Sequence, residues 1–148
     1  MMRILHVEDY DKEKGRNYAV ELNKIISKEK IEYENIETLD SFLSINPEVY
    51  DIIILDGQFP SEKGFEPDID SFKKAMDFLK NKNYDKRNII VWSNSTRVHA
   101  ICSLEGLKCF SKKQMKEEDY IRKGVDPKAI VEKADEQKIK NLILNIIP

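Results

Sequence analysis

Two apolar segments of the chain each run straight into acid. Residues 3–7 (Arg-Ile-Leu-His-Val) end on Glu8 and Asp9, and residues 50–55 end on Asp56. A hydrophobic strand that stops on a carboxylate puts the charge at the rim of a sheet. If the two strands are parallel neighbours, three carboxylates meet at one edge. Such a cluster repels itself unless a divalent cation joins it, and all-oxygen donors suit Mg²⁺. A hydroxyl, Ser93, follows a third apolar run, and an amine, Lys112, follows a later one. A carboxylate nucleophile, a metal, a hydroxyl and an ammonium make up the parts of a phosphoryl-transfer site. Asp56 is the natural acceptor, since a carboxylate takes a phosphoryl group as an acyl phosphate. Asp9, Asp56 and the backbone carbonyl of Gln58 would hold Mg²⁺. Glu8 would reach the ion through water or orient Asp9. The metal and Lys112 would neutralise phosphoryl oxygens, and the Ser93 hydroxyl would donate to another.

The elements that must position these residues alternate. Strands are expected at 3–7, 31–36, 50–55, 89–92 and 107–110. Between them fall helices after Asp11 (Tyr18, Leu22, Ile25 and Ile26 inward), at 40–45 up to Pro47, at 70–79 (Phe72, Met76 and Leu79 inward) and at 96–105, ended by Gly106. Asp126-Pro127 starts a last helix carrying Ile130, Val131, Ala134, Ile139, Leu142, Ile143 and Ile146. Strict alternation predicts an α/β fold, a doubly wound five-stranded parallel sheet flanked by helices. Right-handed crossovers put every strand's carboxyl end on one edge, where ligands bind in such sheets. Glu8, Asp9, Asp56, Ser93 and Lys112 all fall there.

At 148 residues, with 41% hydrophobic and 35% charged residues and a formal net charge of −2, the chain reads as one domain with an ordinary core. The charge gives no general attraction to nucleic acid, and the basic Lys112, Lys113 and Lys116 are offset by Glu117, Glu118 and Asp119. No apolar run reaches membrane-spanning length, and no leader pattern opens the chain. Cys102 and Cys109 have neither metal spacing nor a disulfide framework, which fits a reducing cytoplasm. His6 reads as a packed core histidine, Trp92 as a core filler and His99 as an exposed helix residue.

The quoted segments resemble the receiver domain of two-component response regulators. The matching pieces are ILHVEDY for the acidic pair, YDIIILDGQFPSEKG for the acceptor and its loop, IIVWSNS for the switch hydroxyl and LKCFSKKQ for the lysine. The Asp56, Pro60 and Gly64 spacing fits the family pattern, and the resemblance covers about residues 3–113 plus a terminal helix. It implies flavodoxin-like (receiver) topology and Mg²⁺-dependent phosphorylation of Asp56 by a sensor histidine kinase or phosphotransfer protein. It also implies self-catalysed phosphoryl transfer rather than turnover of a substrate, and output through contacts with a downstream protein. The chain departs from the pattern at Lys113, where proline is usual, at Cys109, where an aromatic is usual, at Asn94, where a small residue is usual, and in a charged insertion at about 114–125. These departures motivate an alternative, a degenerate receiver used as a phosphorylation-independent binding scaffold. An aspartyl-nucleophile phosphatase would want a second acid where Gln58 stands. The expected protein is therefore a stand-alone, cytoplasmic receiver-type module that binds neither nucleic acid nor membrane.

Overall fold

Ile52, Ile53, Ile54 and Leu55 are four consecutive apolar residues, and all four are fully buried. A strand with no wet side must be covered on both faces, which is the usual condition of a central strand in a parallel sheet. The computed structural model, which describes residues 2–9 and 31–110, puts that strand at the centre. The strands are β1 (Met2–Val7), β2 (Ile31–Ile36), β3 (Ile52–Leu55), β4 (Ile89–Trp92) and β5 (Lys108–Phe110). The helices are α1 (Leu39–Leu43), α2 (Ile69–Asn81) and α3 (Thr96–Glu105). All strand pairs are parallel, in the order β2-β1-β3-β4-β5. This is the flavodoxin-like order, with its topological switch point between β1 and β3.

Side chains alternate across the sheet with a period of two. On one face Leu5, Val7, Ile53, Leu55, Ile89 and Val91 join Leu39 and Phe42 of α1, Phe72, Ala75 and Leu79 of α2, and Val98 and Cys102 of α3 in one apolar cluster. On the other face Ile4, His6, Ile52, Ile54, Ile90 and Trp92 are also fully buried. Burying one Phe or Leu side chain contributes about 1.5–3 kcal/mol, so this cluster is what holds the helices to the sheet.

Local chemistry sets the ends of the elements. The Thr38 hydroxyl accepts from the Ser41 N–H, and Asp68 caps α2 by accepting from the Asp70 N–H. That cap starts α2 at Ile69 rather than at Asp70, and the helix runs two residues past Leu79. Met76 lies half-buried at the margin of the apolar face. Helix α1 starts at Leu39 because the carbonyls of Pro60 and Ser61 accept the N–H groups of Leu39 and Asp40. The loop after β3 is thereby tied to the start of α1. β3 begins at Ile52 rather than Tyr50, since the Tyr50 N–H closes the 3₁₀ turn Pro47–Val49 on the Pro47 carbonyl. Gly106 ends α3 in the left-handed conformation, at φ 70°, with its N–H on the Cys102 carbonyl. That is the backbone shape glycine adopts at least cost. Among the described residues no helix is long and apolar enough to cross a membrane. The expected helices after Asp11 and Asp126, and the insertion at about 114–125, lie outside the described residues.

Candidate functional site

The parallel register fixes the site before any side chain is considered. Val7 of β1 pairs with Leu55 of β3, which pairs with Val91 of β4. Glu8, Asp56 and Trp92 are therefore the next residues on three adjacent strands, and Ser93 follows one step on. The ladder continues past the strand ends. The Asp56 N–H donates to the Val7 carbonyl at 2.9 Å, the Glu8 N–H to Ile36 at 3.0 Å and the Ser93 N–H to Phe110 at 2.8 Å. The acidic residues are thus held by backbone at the carboxyl ends of β1 and β3, beside the switch point where ligands bind in such sheets.

Glu8 is 2% exposed, Asp56 8% and Ser93 3%, whereas Asp9 is half-buried and Gln58 is exposed. Two neighbouring carboxylates with so little solvent are costly without partners. Asp56 Oδ1 accepts from the Gly57 N–H at 2.7 Å. One carboxylate oxygen of Glu8 lies 3.5 Å from His6 Nε2, and His6 Nδ1 makes a short hydrogen bond with the Tyr33 hydroxyl. His6 also stacks on Trp92, with ring centroids 5.6 Å apart. Burial and the nearby Glu8 carboxylate push the Tyr33 phenol well above its ordinary range. Asn35 fastens the outer side of the edge, its amide donating to the carbonyls of His6 at 2.9 Å and Glu8 at 3.3 Å.

Ser93 is placed by packing as well as by the ladder. A Cβ added at Gly57 would lie 2.4 Å from Ser93 Oγ and 2.6 Å from Val98 Cγ2, so only glycine lets Ser93 sit this close to the residue after Asp56. Ser93 Oγ accepts from the Ser95 N–H at 3.1 Å, and Ser95 in turn caps α3 through the Val98 N–H. With its oxygen so engaged, the hydroxyl can still donate its hydrogen to an anion. His99 Nε2 donates to the Ser93 carbonyl at 2.7 Å.

His99 corrects the expectation of an exposed residue: it is 9% exposed, because α3 turns this position toward β4 and the Ser93 carbonyl is the partner that makes burial tolerable. His6 and Trp92 are fully buried, as expected. The structure brings Glu8, Asp56 and Ser93 to one edge, with Asp9 beside Glu8. Lys112 lies outside the described residues. Sequence reasoning missed the Tyr33–His6–Glu8 contacts and the dependence of Ser93 on Gly57. The first had a signal in the two-residue spacing of His6 and Glu8, which puts both on one face of a strand.

The residues that would hold Mg²⁺ at this edge are Asp9, Asp56 and the Gln58 carbonyl, while Glu8 lies 3.5 Å from His6 Nε2. Among the described residues no three His, Cys, Asp or Glu side chains are grouped as a protein-only metal cage. Mg²⁺ keeps several waters and takes one or two carboxylates, so the smaller donor set fits that ion. No protein-family model and no curated protein matches the sequence.

Proposed function

We propose that the chain is a receiver-type signalling module that accepts a phosphoryl group on Asp56. The observation that carries the reading is the position of Asp56: buried, at the β1/β3 switch point, between Glu8 and the glycine-fitted Ser93. A carboxylate oxygen of Asp56 attacks the phosphorus of a phosphohistidine; the P–O bond forms, the P–N bond breaks, and the imidazole leaves with a proton. Mg²⁺ held by Asp9, Asp56 and the Gln58 carbonyl would offset charge on the phosphoryl oxygens. The Ser93 hydroxyl donates to one of those oxygens, and Lys112 is assigned to another from the sequence. The donor is a sensor histidine kinase or phosphotransfer protein, and output passes to a downstream protein through contacts rather than through catalysis.

The test is phosphoryl labelling of the purified protein by acetyl phosphate or a phosphohistidine donor, read by intact mass. One Mg²⁺-dependent phosphoryl group is expected on the wild type and none on Asp56→Asn. That variant should fold as well or slightly better, since it removes one of two buried neighbouring carboxylates. Labelling that survives the change, or maps to His6 or His99, overturns the mechanism. A folded wild type that takes no label from any donor favours the binding scaffold.

A further inference from the structure

β1 carries a histidine where packing alone asks for an apolar residue. Beside His6 on its face of the sheet lie Ile4, Ile52, Ile54, Ile90 and Trp92, all fully buried like the imidazole itself. A polar ring in such a place gives up its hydration and needs partners in return. Both of its nitrogens meet one: Nδ1 shares a hydrogen bond with the Tyr33 hydroxyl, and Nε2 lies 3.5 Å from Glu8 Oε2. The register accounts for the meeting. Tyr33 pairs with Ile4 and Asn35 with His6, so Tyr33 stands one diagonal step from His6 on the same face, and Glu8 continues that face two residues on. Ring contacts set the plane of the imidazole, with Trp92 stacked at 5.6 Å and Tyr33 edge-on at 5.9 Å. The Asn35 amide holds the His6 and Glu8 carbonyls, so both side chains leave a fixed backbone.

The order of hydrogens along this chain follows from what each end is. A hydrogen on Nδ1 would turn the Nε2 lone pair on a carboxylate oxygen, two acceptors face to face in a buried space. A hydrogen on Nε2 lets the phenol donate to Nδ1 and the imidazole N–H face the carboxylate, so every acceptor meets a donor. Burial and the Glu8 carboxylate both keep the hydrogen on Tyr33, which suits the phenol to donate. We propose that Tyr33 and His6 are positioning residues for Glu8: Tyr33 fixes the imidazole with its hydrogen on Nε2, and that N–H aims the Glu8 carboxylate at the edge it shares with Asp56. This rests on the reading of that edge as a Mg²⁺-assisted acceptor site. Glu8, aimed in this way, would serve the ion as an outer partner that orients Asp9 or a metal-bound water. Groups that orient metal ligands in this manner contribute strongly to affinity without touching the metal.

The test reads the ring first and the metal second. Long-range proton–nitrogen correlation NMR of the Mg²⁺-free protein separates a ring nitrogen that bears hydrogen from one that does not. His6 should carry hydrogen on Nε2 alone in the wild type and show mixed tautomers in Tyr33→Phe, which keeps the ring and removes only the hydroxyl. Amide shifts during a magnesium chloride titration then give the affinity. Tyr33→Phe and His6→Leu should each weaken it about tenfold, the lower end of what losing an outer partner costs. Because Tyr33 acts only through His6, Tyr33→Phe should add no further loss in the His6→Leu background. Unchanged circular dichroism shows that the variants fold, and the wild-type ring spectrum stands by itself if one does not. Hydrogen on Nδ1, or on both nitrogens, in the wild type overturns the proposal. So does a Tyr33→Phe protein that binds Mg²⁺ as tightly as the wild type; both results leave the acceptor-site reading in place. A folded wild type with no Mg²⁺-dependent shift overturns that reading and this proposal with it.

Discussion

Gly57→Ala is the substitution whose cost the structure determines most directly. The added methyl would sit 2.4 Å from Ser93 Oγ, 2.6 Å from Val98 Cγ2 and 2.9 Å from Ser93 Cβ. Ser93 and Val98 are both buried, so neither side chain has open space to move into. Gly57 does not occupy the left-handed region, which leaves overpacking rather than backbone strain as the cause. Overpacking in a close-packed interior costs about 1–3 kcal/mol. Rotating Ser93 away would also break its bond from the Ser95 N–H, worth a further roughly 0.5–1.5 kcal/mol. A loss of about 3 kcal/mol is expected, a large part of the about 5–15 kcal/mol by which domains are stable. With a urea m-value of about 2 kcal/mol/M, the unfolding midpoint should fall by about 1.5 M. Equilibrium urea unfolding followed by Trp92 fluorescence measures it. Ser93→Gly removes two of the three collisions, so the double variant should recover about 1–2 kcal/mol of the sum of the single losses. A midpoint shift below about 0.3 M, or strict additivity in the double variant, would refute the claim that Gly57 exists to admit Ser93.

Three further outcomes follow from the same geometry. Mg²⁺ should quench Trp92 fluorescence, because Trp92 is level with Asp56 in the sheet; Asp9→Asn should weaken that binding by at least the roughly tenfold that losing even an outer partner of a metal costs, and a wild type with no Mg²⁺-dependent signal by any probe would remove the assignment. His99→Phe leaves the buried Ser93 carbonyl without its donor and should cost about 1–3 kcal/mol in urea unfolding, with His99→Gln less damaging; a neutral His99→Phe would contradict the role given to that bond. The Arg87 guanidinium, hydrogen-bonded to Asp85, holds that carboxyl down at about 2; because the folded value is depressed, its small contribution is present above the ordinary value of 3.8 and lost as pH falls through about 2. Carbon-detected NMR titration should show Asp85 returning toward 3.8 in Arg87→Gln.

Much of this molecule is decided within a few residues of chain. The apolar run 52–55 needs no partner to declare a central strand, and Ile89–Trp92 and Ile31–Ile36 stand where their composition puts them. Ser95 before α3 and Gly106 after it fix that helix between a side-chain acceptor and a left-handed turn, both local devices. That Glu8, Asp9 and Asp56 stand at strand ends is equally local, since Glu8 and Asp56 directly follow their apolar runs and Asp9 follows Glu8. What the sequence by itself does not contain is which strands are neighbours and at what offset. The register of β1 on β3 and of β3 on β4 comes from crossovers and from shared burial on two faces, and it alone sets Glu8 level with Asp56 and Gly57 against Ser93. The same holds for the Tyr33–His6–Glu8 contacts, which need β2 seated on β1, and for the burial of His99, which needs the Ser93 carbonyl as its partner. Hydrogen bonds and packing between segments distant in the chain decide these features. Their energy appears only once the sheet has closed, so no window of sequence can carry it.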